Sequence, residues 1–164
     1  MECIECQLVE ANKESGLCND CEEVEQRKIN GLLYLPALGL VLGLIGGAMQ
    51  LYDFFGAVLK YYNKTGFLSW FSIGGVIMLL SAFLISVYAA WLFFRRKMGT
   101  RRVMIIYYIS GLMLALYLTV LPGALFGMKL EQGDIRVLIS SLFGVFIWVP
   151  YFIFSKRINR VFCH

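Results

Sequence analysis

Four cysteines near the start of the chain, Cys3, Cys6, Cys18 and Cys21, form two Cys-x-x-Cys pairs with eleven residues between them. Two thiolates three residues apart can grip one tetrahedral ion, and the intervening stretch lets the chain fold back to supply the other two. Zinc suits this set because it needs no redox chemistry and accepts four sulfurs. The same sulfurs can hold iron in a rubredoxin-like manner, and thiol–disulfide chemistry is a third reading. Ser15-Gly16 and Asn19-Asp20 supply turn cues beside the second pair. A closed four-sulfur site has no position open to a substrate, so its expected role is structural. It would fold a segment of about two dozen residues, too small to bury a sufficient apolar core. Cys163 belongs to neither pair.

The elements around this head are membrane elements. The chain has 164 residues, of which 59% are hydrophobic and only 16% charged, where a soluble domain carries about 25%. Apart from Asp53, Glu131 and Asp134, every acidic residue lies at or before Glu25. The formal charge of +4 gives no reason to expect a nucleic-acid partner, because the basic residues sit between apolar runs. Those runs are 31–52, 67–94, 103–126 and 137–154. Each can cross about 30 Å of hydrocarbon as a helix, and none alternates as a barrel strand would. The expected fold is therefore an all-α polytopic membrane protein: residues 1–28 form a four-cysteine, zinc-ribbon-like module, and 29–164 a four-helix transmembrane domain.

Basic residues set the orientation. Arg27 and Lys28 precede the first run, Arg95, Arg96, Lys97, Arg101 and Arg102 fill the second link, and Lys156, Arg157 and Arg160 follow the fourth run. The other two links hold only Lys60, Lys64, Lys129 and Arg136. Both termini are expected in the cytoplasm, with the cysteines in a reducing compartment that favours metal over disulfide. No cleavable leader is apparent, since the first stretch is polar and acidic. The clusters read first as topology determinants and second as a site for anionic lipid headgroups, with Arg95, Arg96, Lys97, Arg101, Arg102, Lys156 and Arg157 as candidates.

Within the spans, Gly39, Gly43 and Gly47 recur every four residues, a spacing that lets another helix approach for bundle packing or an oligomer interface. Pro36, Pro122 and Pro150 fall near span ends, where modest kinks are expected. The loop from Asp53 to Gly66 carries Phe54, Phe55, Val58, Leu59 and Tyr62 at one-face spacing, consistent with a short surface helix or an aromatic belt. No span holds a charged residue at its centre, and the only histidine is His164. Without a buried acid, base or dyad, no enzyme activity is expected.

Two segments resemble a known family. Ile29-Asn30-Gly31-Leu32-Leu33-Tyr34-Leu35-Pro36 through Leu40 is similar to its first-helix opening. Ile147-Trp148-Val149-Pro150-Tyr151-Phe152, followed by Ser155-Lys156-Arg157-Ile158, is similar to its fourth-helix ending. The family is that of YdgK-like bacterial inner-membrane proteins, domain of unknown function 2569. Asn30 stands where the family usually has glycine, and Leu32 where it has tryptophan. The resemblance implies four spans and a bacterial inner membrane, and brings no activity with it.

The composite expectation is a non-enzymatic inner-membrane accessory or scaffold protein that uses its zinc head and its glycine face to bind a protein partner or to form a homo-oligomer. Glu2, Glu5, Glu10, Glu14, Glu22, Glu23 and Glu25 would give that head an acidic surface. The alternative is a subunit of a transport or lipid-handling system, followed by a membrane thiol or iron redox protein.

Overall fold

The computed structural model describes Cys6, Glu10, Ser15, residues 18–21 and 33–155, Ile158 and Val161. All elements among these residues are helical. Helix α1 spans Tyr34–Thr65, α2 Trp70–Phe94, α3 Thr100–Phe126 and α4 Gln132–Phe154. All four are long and apolar enough to cross a membrane. Lipid offers backbone groups no hydrogen-bond partner, so an apolar run of this length must satisfy its own amides as a helix.

Helix α1 departs from the expected boundaries. Its 32 residues run through the Asp53–Gly66 stretch without a break. At ~1.5 Å per residue it measures about 48 Å, well beyond the hydrocarbon thickness. The stretch holds no proline, and Phe54 packs where a Cβ on Gly75 of α2 would sit, 2.5 Å from the ring tip. Neither a separate surface helix nor a loop forms there. Gly66 ends α1 in the left-handed region (φ 67°), and its N–H donates to the Tyr62 carbonyl at 2.7 Å. Four residues later α2 begins, with Ser69 accepting from the Ser72 N–H at 3.2 Å.

Each helix packs on its chain neighbours, α1 on α2, α2 on α3 and α3 on α4. The buried core gathers at one end of the bundle. There Leu33, Ala37 and Leu40 at the start of α1 meet Ala89 and Phe93 of α2, Met104 of α3 and Phe152 of α4, together with Ile158 and Val161. Tyr107, Tyr108, Trp148 and Tyr151 pack against this cluster. The Arg95–Arg102 link lies at the same end, which is therefore the basic end of the bundle. At the far end, Tyr117 of α3 stacks on Phe71 of α2 (centroids 5.3 Å apart, planes within 2°) and donates its hydroxyl to the Phe71 carbonyl at 2.9 Å. Its ring fills a notch left by the missing side chain of Gly74.

Polar side chains inside the helices bond to their own backbone. Ser86 donates to the Ala82 carbonyl and Thr119 to the Ala115 carbonyl, one turn back. In α4 the turn Gly144–Trp148 is a π-helix. Pro150 follows two residues later, removing the amide that would bond one turn back, and a widened turn accommodates that loss. Gly144 faces the Tyr108 ring, with a virtual Cβ 3.3 Å from Cδ1. Pro36 lies in the first turn of α1, where no amide bond is lost, whereas Pro122 lies inside α3.

Candidate metal centre

The described cysteines converge. The sulfurs of Cys6, Cys18 and Cys21 all lie within 4.8 Å of one another, and the Cys6 and Cys18 Sγ atoms are 3.7 Å apart. That separation is far longer than an S–S bond of ~2.05 Å. It matches the edge of a tetrahedron: sulfurs at ~2.3 Å from a central zinc lie roughly 3.8 Å from each other. Cys18 is buried while Cys6 and Cys21 are half-exposed. The geometry thus brings the second Cys-x-x-Cys pair against a cysteine of the first, as the spacing predicts. Cys3, the fourth expected ligand, lies outside the described residues. So do Cys163, His164, and the glutamates of the expected acidic surface other than Glu10, which is exposed.

The helical part decides the family. A profile described as "Protein of unknown function (DUF2569)" matches residues 26–163. The chain belongs to this family. No curated protein and no solved structure matches it. In this DUF2569 protein the matched region takes in all four helices, whereas Cys6, Cys18 and Cys21 precede it. The thiol cluster is thus separate from what defines the family.

The glycine track on α1 meets side chains. A Cβ on Gly43 would lie 2.5 Å from the Tyr107 hydroxyl of α3, and one on Gly47 would lie 3.5 Å from the Phe83 ring of α2. Gly39 and Gly46 have nothing within 4 Å. Gly43 and Gly47 therefore serve packing within the bundle by admitting aromatic rings, while Gly39 is on an outward face.

The basic candidates also separate. The Arg101 Nη2 donates to the Ile153 carbonyl at 2.7 Å, tying α3 to an end carbonyl of α4. Arg95 and Lys97 instead lie over a single ring, Trp91, at 5.2 and 5.6 Å from its centroid. Arg102 is exposed, and Lys156 and Arg157 fall outside the described residues. Sequence reasoning passed over Trp91. Its signal was an aromatic residue one turn before an arginine at a membrane edge, where amphipathic rings concentrate. Thr100 was missed as well: it is fully buried, and its hydroxyl donates to the Lys97 carbonyl at 2.7 Å, with the Leu92 carbonyl at 3.2 Å.

Proposed function

We propose that this protein is a non-enzymatic membrane accessory or scaffold subunit whose cysteine head holds one zinc ion and docks a protein partner. The convergence of Cys6, Cys18 and Cys21 carries the reading, because three sulfurs within 4.8 Å of one another, two of them at tetrahedral-edge spacing, are what a shared ion would gather. Cys3 would be the fourth ligand, as its spacing from Cys6 suggests. Zinc would supply no reaction here: it would fix the fold of a small segment, and the four sulfurs would leave no open coordination position. The membrane would be a bacterial inner membrane, as the family resemblance implies, and the Lys and Arg placement supports a head that faces the cytoplasm.

Metal content tests this. The purified full chain should contain about one zinc per protein, and Cys18→Ser should abolish it while the helices stay intact by circular dichroism. A stoichiometric partner should be lost in the same variant. Iron in place of zinc, seen as a red colour, would move the reading to redox chemistry. Metal-free protein from gentle preparation would overturn it.

A further inference from the structure

We propose that the α2–α3 turn is the headgroup seat of an anionic phospholipid, with Arg95 and Lys97 holding the phosphate above Trp91 and one acyl chain lying down the outer face of α2. The seat is built by the way α2 ends. Arg96 takes the left-handed conformation (φ 52°), the Arg96 N–H donates to the Phe93 carbonyl, and the Lys97 N–H donates to the Leu92 carbonyl. This is a Schellman stop, in which the chain reverses over the last helical turn. The reversal carries Lys97 back over the ring that Arg95, one turn beyond Trp91, already covers.

Two cations at one exposed ring repel each other, and neither has an ion-pair partner among the described residues. The described acidic residues of the membrane region are Asp53, Glu131 and Asp134, none of them at the basic end. No described carboxylate of the membrane region offsets them at this end, and at this depth the abundant anion is a lipid phosphate.

Directly beneath the cations the surface becomes a lipid-chain surface. Leu84 and Val87 lie one turn before Tyr88 and Trp91 respectively, on one face, and all are 44–59% exposed. Tyr88 and Trp91 stack with centroids 6.1 Å apart, forming a flat aromatic collar between the charged rim and the aliphatic stripe. Charge, then aromatic, then aliphatic along one helix is the profile of an anionic lipid from headgroup to chain.

The test uses the full chain with Trp70→Phe and Trp148→Phe, which leaves Trp91 as its only tryptophan. The protein is placed in phosphatidylcholine vesicles with a minor fraction of either phosphatidylglycerol or phosphatidylcholine brominated on the acyl chains. Brominated phosphatidylglycerol should quench Trp91 more strongly, corresponding to about thirtyfold local enrichment from two cations. In Arg95→Gln/Lys97→Gln the two lipids should quench alike. Lys60→Gln/Lys64→Gln removes the same charge from the far part of α1 and should keep the preference. Both leaflets carry the probe, so the readout does not depend on insertion direction. Equal quenching by both lipids in the parent would overturn the seat, as would a preference that survives Arg95→Gln/Lys97→Gln. Equal loss of preference in the two double variants would reduce it to net charge and overturn it likewise.

Discussion

The two ends of this bundle are held in different ways. At the basic end four helices contribute to one buried cluster in which Leu33, Leu40, Phe93, Met104 and Phe152 have no exposed surface. At the far end, α2 and α3 are pinned by the Tyr117 ring and hydroxyl, while the first half of α4, Gln132–Phe143, contains no buried residue. The most extensive helix pairings are those between chain neighbours. The difference teaches where packing must come from in lipid. Exposed leucine costs nothing against acyl chains, so helices stay together only where side chains interlock or hydrogen bonds cross. The basic end has both, with the Arg101 guanidinium on the Ile153 carbonyl beside the core. The far half of α4 packs on α3 but buries no residue.

The sharpest way to break this contrast is to hollow out one end and then the other. Phe93→Ala removes a ring with no exposed surface from the convergence point. It should cost about 3–5 kcal/mol, read as a lowered denaturation midpoint in detergent. Phe143→Ala removes the same ring from α4 where it is 61% exposed, and should shift stability by no more than about 0.5 kcal/mol. Comparable losses would mean that the far half of α4 is covered, by a partner or a second copy.

A finer contrast lies along α1. Gly43→Ala sets a methyl against the Tyr107 hydroxyl and should cost about 1–3 kcal/mol as the tyrosine is displaced from its notch. Gly39→Ala meets open space and should be neutral or stabilising by up to about 1 kcal/mol through helix propensity. If Gly39→Ala instead lowers the oligomer mass on size exclusion, the outward glycine face is the interface that the spacing suggests.

The sequence was informative wherever the physics is additive along the chain. Hydropathy located four spans because each window stands alone against the bilayer, and the cysteine spacing anticipated the convergence of Cys6, Cys18 and Cys21 because tetrahedral geometry constrains spacing locally. The end of α1 was illegible for a tertiary reason. Asp53, Gly56, Lys60 and Lys64 read as loop, but Phe54 seats against Gly75 of the next helix and the helix continues. The glycine track left bundle packing and an oligomer interface both open: its spacing shows that something comes close, and cannot say whether a backbone or a tyrosine does. The π turn depends on Pro150 and on the fit of Tyr108 to Gly144, a contact between helices that no window contains. Trp91 was hidden for the same reason, since only the reversal at Arg96 brings Lys97 over it.

That reversal yields the smallest and most discriminating prediction. Position 96 is left-handed and carries a side chain, where glycine meets no steric penalty. Were the turn needed only to join two helices, glycine would serve better, and Arg96→Gly should stabilise the protein by about 1 kcal/mol. It should do so without disturbing the reversal, because both backbone hydrogen bonds of the stop remain and Lys97 still reaches Trp91. Thermal unfolding in detergent should therefore rise slightly in Arg96→Gly, while the phosphatidylglycerol preference at Trp91 persists. A lowered midpoint would mean that the Arg96 side chain contributes more than its conformation costs. An abolished preference would make Arg96 a third cation of the lipid seat, and the strained turn would then hold its arginine for the headgroup's sake.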